Sequence, residues 1–471
     1  MLRRTVWRDL RLAQRGVVVD PAGPTMNLYA DGPRYLLGDD MDENVTETRR
    51  FSPRDAAALP RFEEDLDRMV RAILPTFERT PPDPTTRSAG GVADLAAWTG
   101  LGLRHRGQIA ELAYLFSASA TQILSERFET ELVRAALGWH AINDSQVGPS
   151  TPGTGFVLLH DHASEDPGGG VRRWGFVRGG MGRVTEAMAD AARDEGCAVR
   201  CDAEVSRILS RAGRASGVEL ADGRQIRARV IVSNADPKRT FLRLCDASEL
   251  PEGFADAIGA YRSNGTSMKI NLALAGLPTL AGAASGAAEP YHAGILELNP
   301  TIAEMDAQQW LAANGIPADP SHIEICFPTV HDPSLAPSGK HVATIDVNSQ
   351  PYELADGEWD RLREARADRA IEQLAGYFPD LPAMIEHRQV LSPLDIERVM
   401  GITGGHALHG DMSTDQLFFL RPVRGWARYR TPIPGLYLCG AGTHPGGGVS
   451  GANGRNCARE VLKDLRRRRR W

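Results

Sequence analysis

The chain has 471 residues, 42% of them hydrophobic and 24% charged, and a formal net charge of −6. That length exceeds one ordinary core, so two domains are expected, and the composition is that of a folded globular protein rather than a fibrous or disordered one. The acidic balance argues against a nucleic-acid-binding body, and no apolar run reaches the ~18–20 residues of a membrane-spanning helix. In chain order, strands are expected at Gly16–Val19, Met26–Tyr29 and Tyr35–Leu37, with a turn at Asp31-Gly32. Ser52-Pro53-Arg54-Asp55 is a helix start: an N-cap serine, proline in the first turn and a capping-box acid. Leu59, Phe62, Leu66, Met69 and Ile73 then keep to one helical face, with Pro60 expected to kink or split the helix early. Thr80–Pro84 breaks the pattern, Ile109–Phe116 and Phe128–Leu137 resume it, and Gly148–Gly155 reads as a loop.

From residue 174 the character changes. Gly179-Gly180-Met181-Gly182 leads into a helix with Val184, Met188 and Ala191 inward, read as a turn plus close helix packing. Strands are expected at Ala198-Val199 and Val205–Leu209, and a hairpin about Asp222-Gly223 joins Ala215–Leu220 to Gln225–Ala228. Val230–Val232 is an all-apolar strand, and Ser233–Pro237 ends it and caps a helix. Met268–Ala275 and His322–Phe327 alternate as half-buried strands, Gly276–Glu289 is a small-residue loop, and Trp359–Tyr377 is a charged amphipathic helix.

The densest signal lies near the C-terminus. A short apolar run, Leu436–Cys439, precedes glycines at 440, 442, 446, 447, 448, 451 and 454, and a helical pattern through Val449, Ala452, Asn456 and Arg459 follows. Strand, glycine loop and helix N-terminus together let bare N–H groups approach an anion or a flat ring, and tight turns alone do not need seven glycines. Other candidates are weaker. His160 with His162, and His406 with His409, lack a third ligand at metal spacing, so no metal is expected. His444, inside the glycine loop, suits a loop-ordering hydrogen bond better than general-base work, and Ser450 lacks a G-x-S-x-G frame. Arg421, Arg424, Arg428 and Arg430 form either a solvated surface or an anion contact. The six cysteines contain no C-x-x-C and are read as reduced thiols, and Arg466–Arg470 as a solvated terminus. The expected compartment is the cytoplasm, with peripheral membrane contact left open.

Gly440–Val449 is similar to the C-terminal FAD motif of bacterial phytoene desaturases, and more closely to the phytoene-dehydrogenase-related flavoproteins. Arg50–Ala56, Gly148–Gly155, Arg178–Gly182, Val232–Pro237, Gly401–His409 and Gln416–Pro422 carry the same resemblance in the same order. It implies an α/β fold, with a Rossmann-like FAD-binding domain interleaved with an α+β substrate domain. The boundaries expected are a helical substrate region at 1–165, FAD-binding segments at 166–245 and 426–465, a substrate domain at 246–425 and a basic tail at 466–471. It also implies FAD-dependent oxidation of a small, apolar organic substrate, with no nucleic acid involved. By the same resemblance Gly440, Ala441 and Gly442 line the ribityl–pyrophosphate path. Gly447, Gly448 and Val449 begin the helix facing the pyrophosphate and the pyrimidine edge, Val205 meets adenine, and Asn234 and Ala235 lie near the dinucleotide. No catalytic residue is named, since flavin carries the hydride chemistry. The family's opening strand, G-x-G-x-x-G turn and ribose-holding acid are absent from these residues. The expectation that follows is an N-terminally truncated chain with weak FAD affinity and an exposed core, or alternatively an FAD-less relative acting as a binding or regulatory protein.

Overall fold

The computed structural model describes residues 2–30, 34–83, 85, 89–142, 145–163, 174–283 and 289–468. The Asp31-Gly32 turn, Pro84, the middle of the 276–289 loop, the 165/166 boundary and the tail from Arg469 lie outside the described residues.

The largest sheet has seven strands, in the order Ile385–Leu391, Met268–Leu274, His341–Val347, Ile323–Cys326, Ile295–Leu298, Thr25–Leu28 and Tyr35–Leu37. All neighbours are antiparallel except Ile295–Leu298 with Thr25–Leu28. Strict alternation along Met268–Leu274 buries Met268, Ile270, Leu272 and Leu274 on one face, where Ala367, Ala370, Ile371 and Leu374 of the helix Trp359–Ala375 complete the core. The opposite face carries Lys269 and Asn271 and looks toward a helical layer built on Pro53–Phe77, Ile109–Ser117, Glu131–Gly138 and Thr154–Asp161.

The helix Pro53–Phe77 runs unbroken through Pro60. Its buried stripe, Leu59 through Phe77, outweighs the hydrogen bond that proline removes. Only half of the expected capping box forms there. The Asp55 N–H donates to Ser52 Oγ (3.0 Å), but the Asp55 carboxylate, fully buried, accepts from the N–H groups of Glu129 and Thr130 (2.8 and 2.9 Å) and so caps the helix Glu131–Gly138 instead.

A second unit gathers distant segments. Ile231–Ser233 pairs in parallel with Leu436–Leu438, and the three-stranded sheet Val205–Arg211, Arg214–Leu220, Gln225–Arg227 shares a core with them through Ile208. Three expectations change here. Ala198-Val199 is not a strand, and Val199 stands 42% exposed. The early strand falls at Val19–Pro21, paired with Gly175–Val177, while Val17 turns into a small core with Leu12 and Val184. Val232 is 48% exposed, because Leu436–Leu438 is the single strand partner of Ile231–Ser233 among the described residues and side chains on the two faces meet different surroundings.

Candidate functional site

The glycine loop leaves the C-terminal end of Leu436–Leu438, beside the loop that leaves Ile231–Ser233. Ligands of open α/β folds bind at such strand ends. The two loops interlock closely: a Cβ on Gly440 (φ +80°) would collide with the Asn234 side chain, and one on Gly442 would come within 2.5 Å of the Pro237 ring. Asn234 and Ala235 are thus brought against Gly440–Gly442. Val205 opens the strand whose Ile208 shares their core, but no hydrogen bond ties it to the glycine loop among the described residues.

The loop is ordered by its own wiring. Thr443 Oγ1 donates to the Gly440 carbonyl (2.8 Å), Asn453 Nδ2 to the carbonyls of Thr443 (2.9 Å) and Gly446 (3.1 Å), and Tyr429 Oη to that of His444 (2.8 Å). Arg421, fully buried, donates to the carbonyls of Ala441 (2.9 Å), Asp411 (2.8 Å) and Leu408 (2.9 Å), among others. Of the two readings of the arginine run, neither holds for three members. Arg421 staples backbone, Arg428 pairs with Asp94, and Arg430 clasps Asp464 (2.7 and 2.9 Å); Arg424 alone is exposed. His444 Nε2 lies 2.9 Å from the Thr76 carbonyl, and burial lowers its pKa to about 4, so it orders the loop as a neutral ring.

One expectation about the loop is corrected. Gly447, Gly448 and Val449 do not begin the helix, which starts at Ala452. Positive φ at Gly448 (+102°), Val449 (+53°) and Gly451 (+67°) holds these residues off the helical path. What they offer instead is main chain. Among the described residues no acceptor meets the N–H of Gly447, Gly448 or Val449, although Gly447 is buried, and a Cβ placed on Gly448 would meet only the His160 ring, at 3.6 Å. Unmet N–H groups on a side-chain-free surface fit a flat, electron-rich ring and its phosphates.

The remaining sequence candidates do other work. Gly179 and Gly180 make a turn with positive φ, but a Cβ on Gly182 would meet open space, so the close helix packing expected there is absent. Asp161 pairs with His140 Nδ1 (2.9 Å), His162 Nδ1 lies 2.8 Å from the Leu158 carbonyl, and His406 Nε2 lies 3.1 Å from Asp411. No group of three metal-ligating side chains forms among the described residues.

Next to the glycine loop lies a cavity of 510 Å³, between the polar face of the large sheet and the helical layer. Two elements connect them. Asp161 lines the cavity while its neighbour His160 faces Gly448, and Ala407 lines it while Leu408 packs on Gly447. The cavity floor is one rung of the sheet, on which Lys269, Asp346, Glu324, Glu297 and Asn27 stand directly opposite one another on five adjacent strands. Lys269 pairs with Asp346 (2.6 Å), and the Trp139 indole N–H donates to Glu324 (2.6 Å). Burial, then the charges of Glu297 and Asp346, push Glu324 up to about 8. The rest of the lining is mixed: Met41, Leu59, Leu137 and Met400 stand among Asp39, Asn44, Glu63, His140 and Asp161. The sequence reading missed this rung. Alternation in Met268–Leu274 and His322–Phe327 put its residues on one face, but nothing local gives the register that aligns them.

The family model described as flavin containing amine oxidoreductase matches residues 6–462. Mouse pyridine nucleotide-disulfide oxidoreductase domain-containing protein 2 is 36% identical over 99% of this chain and 84% of its own length. Hydroxyneurosporene desaturase of Cereibacter sphaeroides is 29% identical over 94% and 81%. Among solved structures, an oxidoreductase from Methanosarcina mazei superposes with a TM-score of 0.53 at 15% identity, covering 96% of this chain and 84% of that one, a likeness of fold.

Proposed function

Because the chain belongs to the family of flavin containing amine oxidoreductases, we propose that Gly440–Gly442, Gly447–Val449, Asn234 and Ala235 hold its FAD and that the neighbouring cavity receives its substrate. The chain is an FAD-dependent oxidoreductase of the phytoene-desaturase-related group, acting on a small molecule. Bound flavin supplies the hydride-accepting chemistry. The protein's own part is to position and insulate. The N–H groups of Gly447, Gly448 and Val449 would favour negative charge on a bound ring, and neutral His160 packs beside Gly448 without adding charge, burial having lowered it to about 4. The shared walls of loop and cavity, His160-Asp161 and Ala407-Leu408, support a substrate placed against that ring. Met41, Leu59, Leu137 and Met400 in the lining support a substrate with a hydrocarbon body. Segments 166–245 and 426–465 act as the cofactor unit, and 1–165 and 246–425 as the substrate unit. Val205 is assigned to the adenine end on the strength of its strand alone. Among the described residues no helix is long and apolar enough to cross a membrane.

The observation that carries this reading is the row of unmet N–H groups at Gly447–Val449 beside a cavity of 510 Å³. Titration of the chain with FAD, followed by flavin absorbance, tests it. Saturable uptake is expected, with Gly448→Leu at least about tenfold weaker; φ at Gly448 is +102°, so the variant should also melt lower, and its affinity is measured well below that melting temperature. Equal affinity of the variant rejects the assignment of the loop.

A further inference from the structure

Two free thiols stand at the two ends of the glycine loop. Cys439 directly follows the strand Leu436–Leu438, and Cys457 lies early in the helix Ala452–Arg468. They meet in one small cluster with Tyr429, Tyr437, Val230 and Val461, the last one turn beyond Cys457 on the same helical face. The two sulfurs are not equivalent. Cys457 is 1% exposed, whereas Cys439 is half-buried, so a small oxidant reaches Cys439 first. The Cys457 S–H donates to the Cys439 sulfur. That bond holds Cys439 below the usual thiol range against the opposing effect of burial, and it pushes Cys457 up, with burial adding to the rise. Elsewhere burial pushes Cys245 and Cys326 up to about 12, which leaves them unreactive.

We propose that Cys439 is a peroxide-sensitive thiol, that Cys457 is its resolving partner, and that the disulfide between them forms a clasp across the segment 440–456. The Cys439 sulfur attacks one oxygen of hydrogen peroxide; the O–O bond breaks, a sulfenic acid forms, and the thiol proton leaves with the other oxygen as water. The Cys457 sulfur then attacks the Cys439 sulfur; the S–O bond breaks, and the second thiol proton leaves with hydroxide as a second water. Two thiols lose two electrons, and one peroxide is reduced to two waters. The first step also removes the negative sulfur that raised Cys457, which frees its thiolate for the second. The clasp ties the two ends of the loop and so restrains any opening of the Gly447–Val449 cradle. That consequence rests on the loop holding FAD, as proposed above.

Cys197 and Cys201 are exposed and are replaced by serine in the chain used for the test. That chain is treated with equimolar hydrogen peroxide, digested without reductant and read by mass spectrometry. A peptide pair joined through positions 439 and 457 is expected, lighter by two hydrogens than the separate thiol peptides and parted again by dithiothreitol. Cys457→Ala should stop at the sulfenic acid on Cys439, captured by dimedone. In Cys439→Ala, Cys457 should stay an unlabelled thiol. Oxidation should raise the melting temperature by about 2 °C or more, a shift lost in both variants, and melting under reductant checks that both fold. A thiol left at Cys439, dimedone on Cys457 instead, or oxidation of Cys439 to the sulfinic acid with Cys457 present overturns the proposal. FAD release on dilution, followed by flavin fluorescence, should be slower from the oxidised chain; equal release overturns the restraint on the cradle. FAD uptake without a joined pair removes this inference alone. A joined pair in a chain that takes up no FAD removes the loop assignment alone.

Discussion

Glu324 shows how one residue's surroundings reverse its ordinary behaviour. Burial, and then two neighbouring acids, hold its carboxyl up to about 8, against an ordinary value of 4.5. The folded chain therefore keeps a proton that the unfolded chain has released between about pH 4.5 and 8. Stability from this group is highest at the acid end of that window, falls as pH rises through it, and is level above about 8. Glu324→Gln removes the titration. The difference in melting temperature, variant minus wild type, should grow from about pH 5 to about pH 8 and then level off; a flat difference would show that the carboxyl is not held protonated. Arg421 is the contrasting case. Its charge is fully buried, and the partners of its guanidinium are backbone carbonyls of residues 408–416 and 441. An arginine beside a glycine loop invites an anion-binding role from sequence, but here its donors are already committed to fixing the loop's shape.

At the scale of elements, the link between Asp55 and residues 129–130 couples two helices far apart in sequence. Removing that fully buried carboxylate leaves the N–H groups of Glu129 and Thr130 without their acceptors. Asp55→Ala should cost about 2–3 kcal/mol in urea denaturation, more than an exposed cap loses, and Ser52→Ala about 1 kcal/mol. Equal small losses would mean that Asp55 acts only within its own helix. The same comparison shows what local rules can and cannot read. Ser-Pro-x-Asp correctly marked the start of Pro53–Phe77, because N-cap chemistry involves only neighbours in the chain. It did not reveal where the Asp55 side chain goes, which depends on a segment 74 residues away. Likewise the helix after the glycine loop was legible from its periodicity, but its first turn was not: consecutive positive φ values moved its start to Ala452.

At the scale of the whole molecule, the strands Thr25–Leu28 and Tyr35–Leu37 join two bodies. Leu28 belongs to the core of the large sheet, and Tyr35 belongs to the helical core and bonds Thr48 through its hydroxyl (2.9 Å). Leu28→Ala should cost about 2–5 kcal/mol. By hydrogen exchange, protection should fall both in the strand His341–Val347 and in the helix Pro53–Phe77; a loss confined to one of them would show that the two bodies open independently. The sequence by itself determined the α/β character, the strands that alternate, the start of Pro53–Phe77 and the glycine loop with its resemblance to flavin sites, since each of these depends on spacing within one short segment. Tertiary structure alone decided that Thr25–Leu28 and Tyr35–Leu37 extend a sheet otherwise drawn from residues 268–391. It also decided that the loops after Ser233 and Leu438 interlock, and that Lys269, Asp346, Glu324 and Glu297 fall on one rung beside that loop. The reason is register. A shift of one residue in any of these strand pairings leaves every local pattern unchanged but turns that strand's charged side chains away from the cavity.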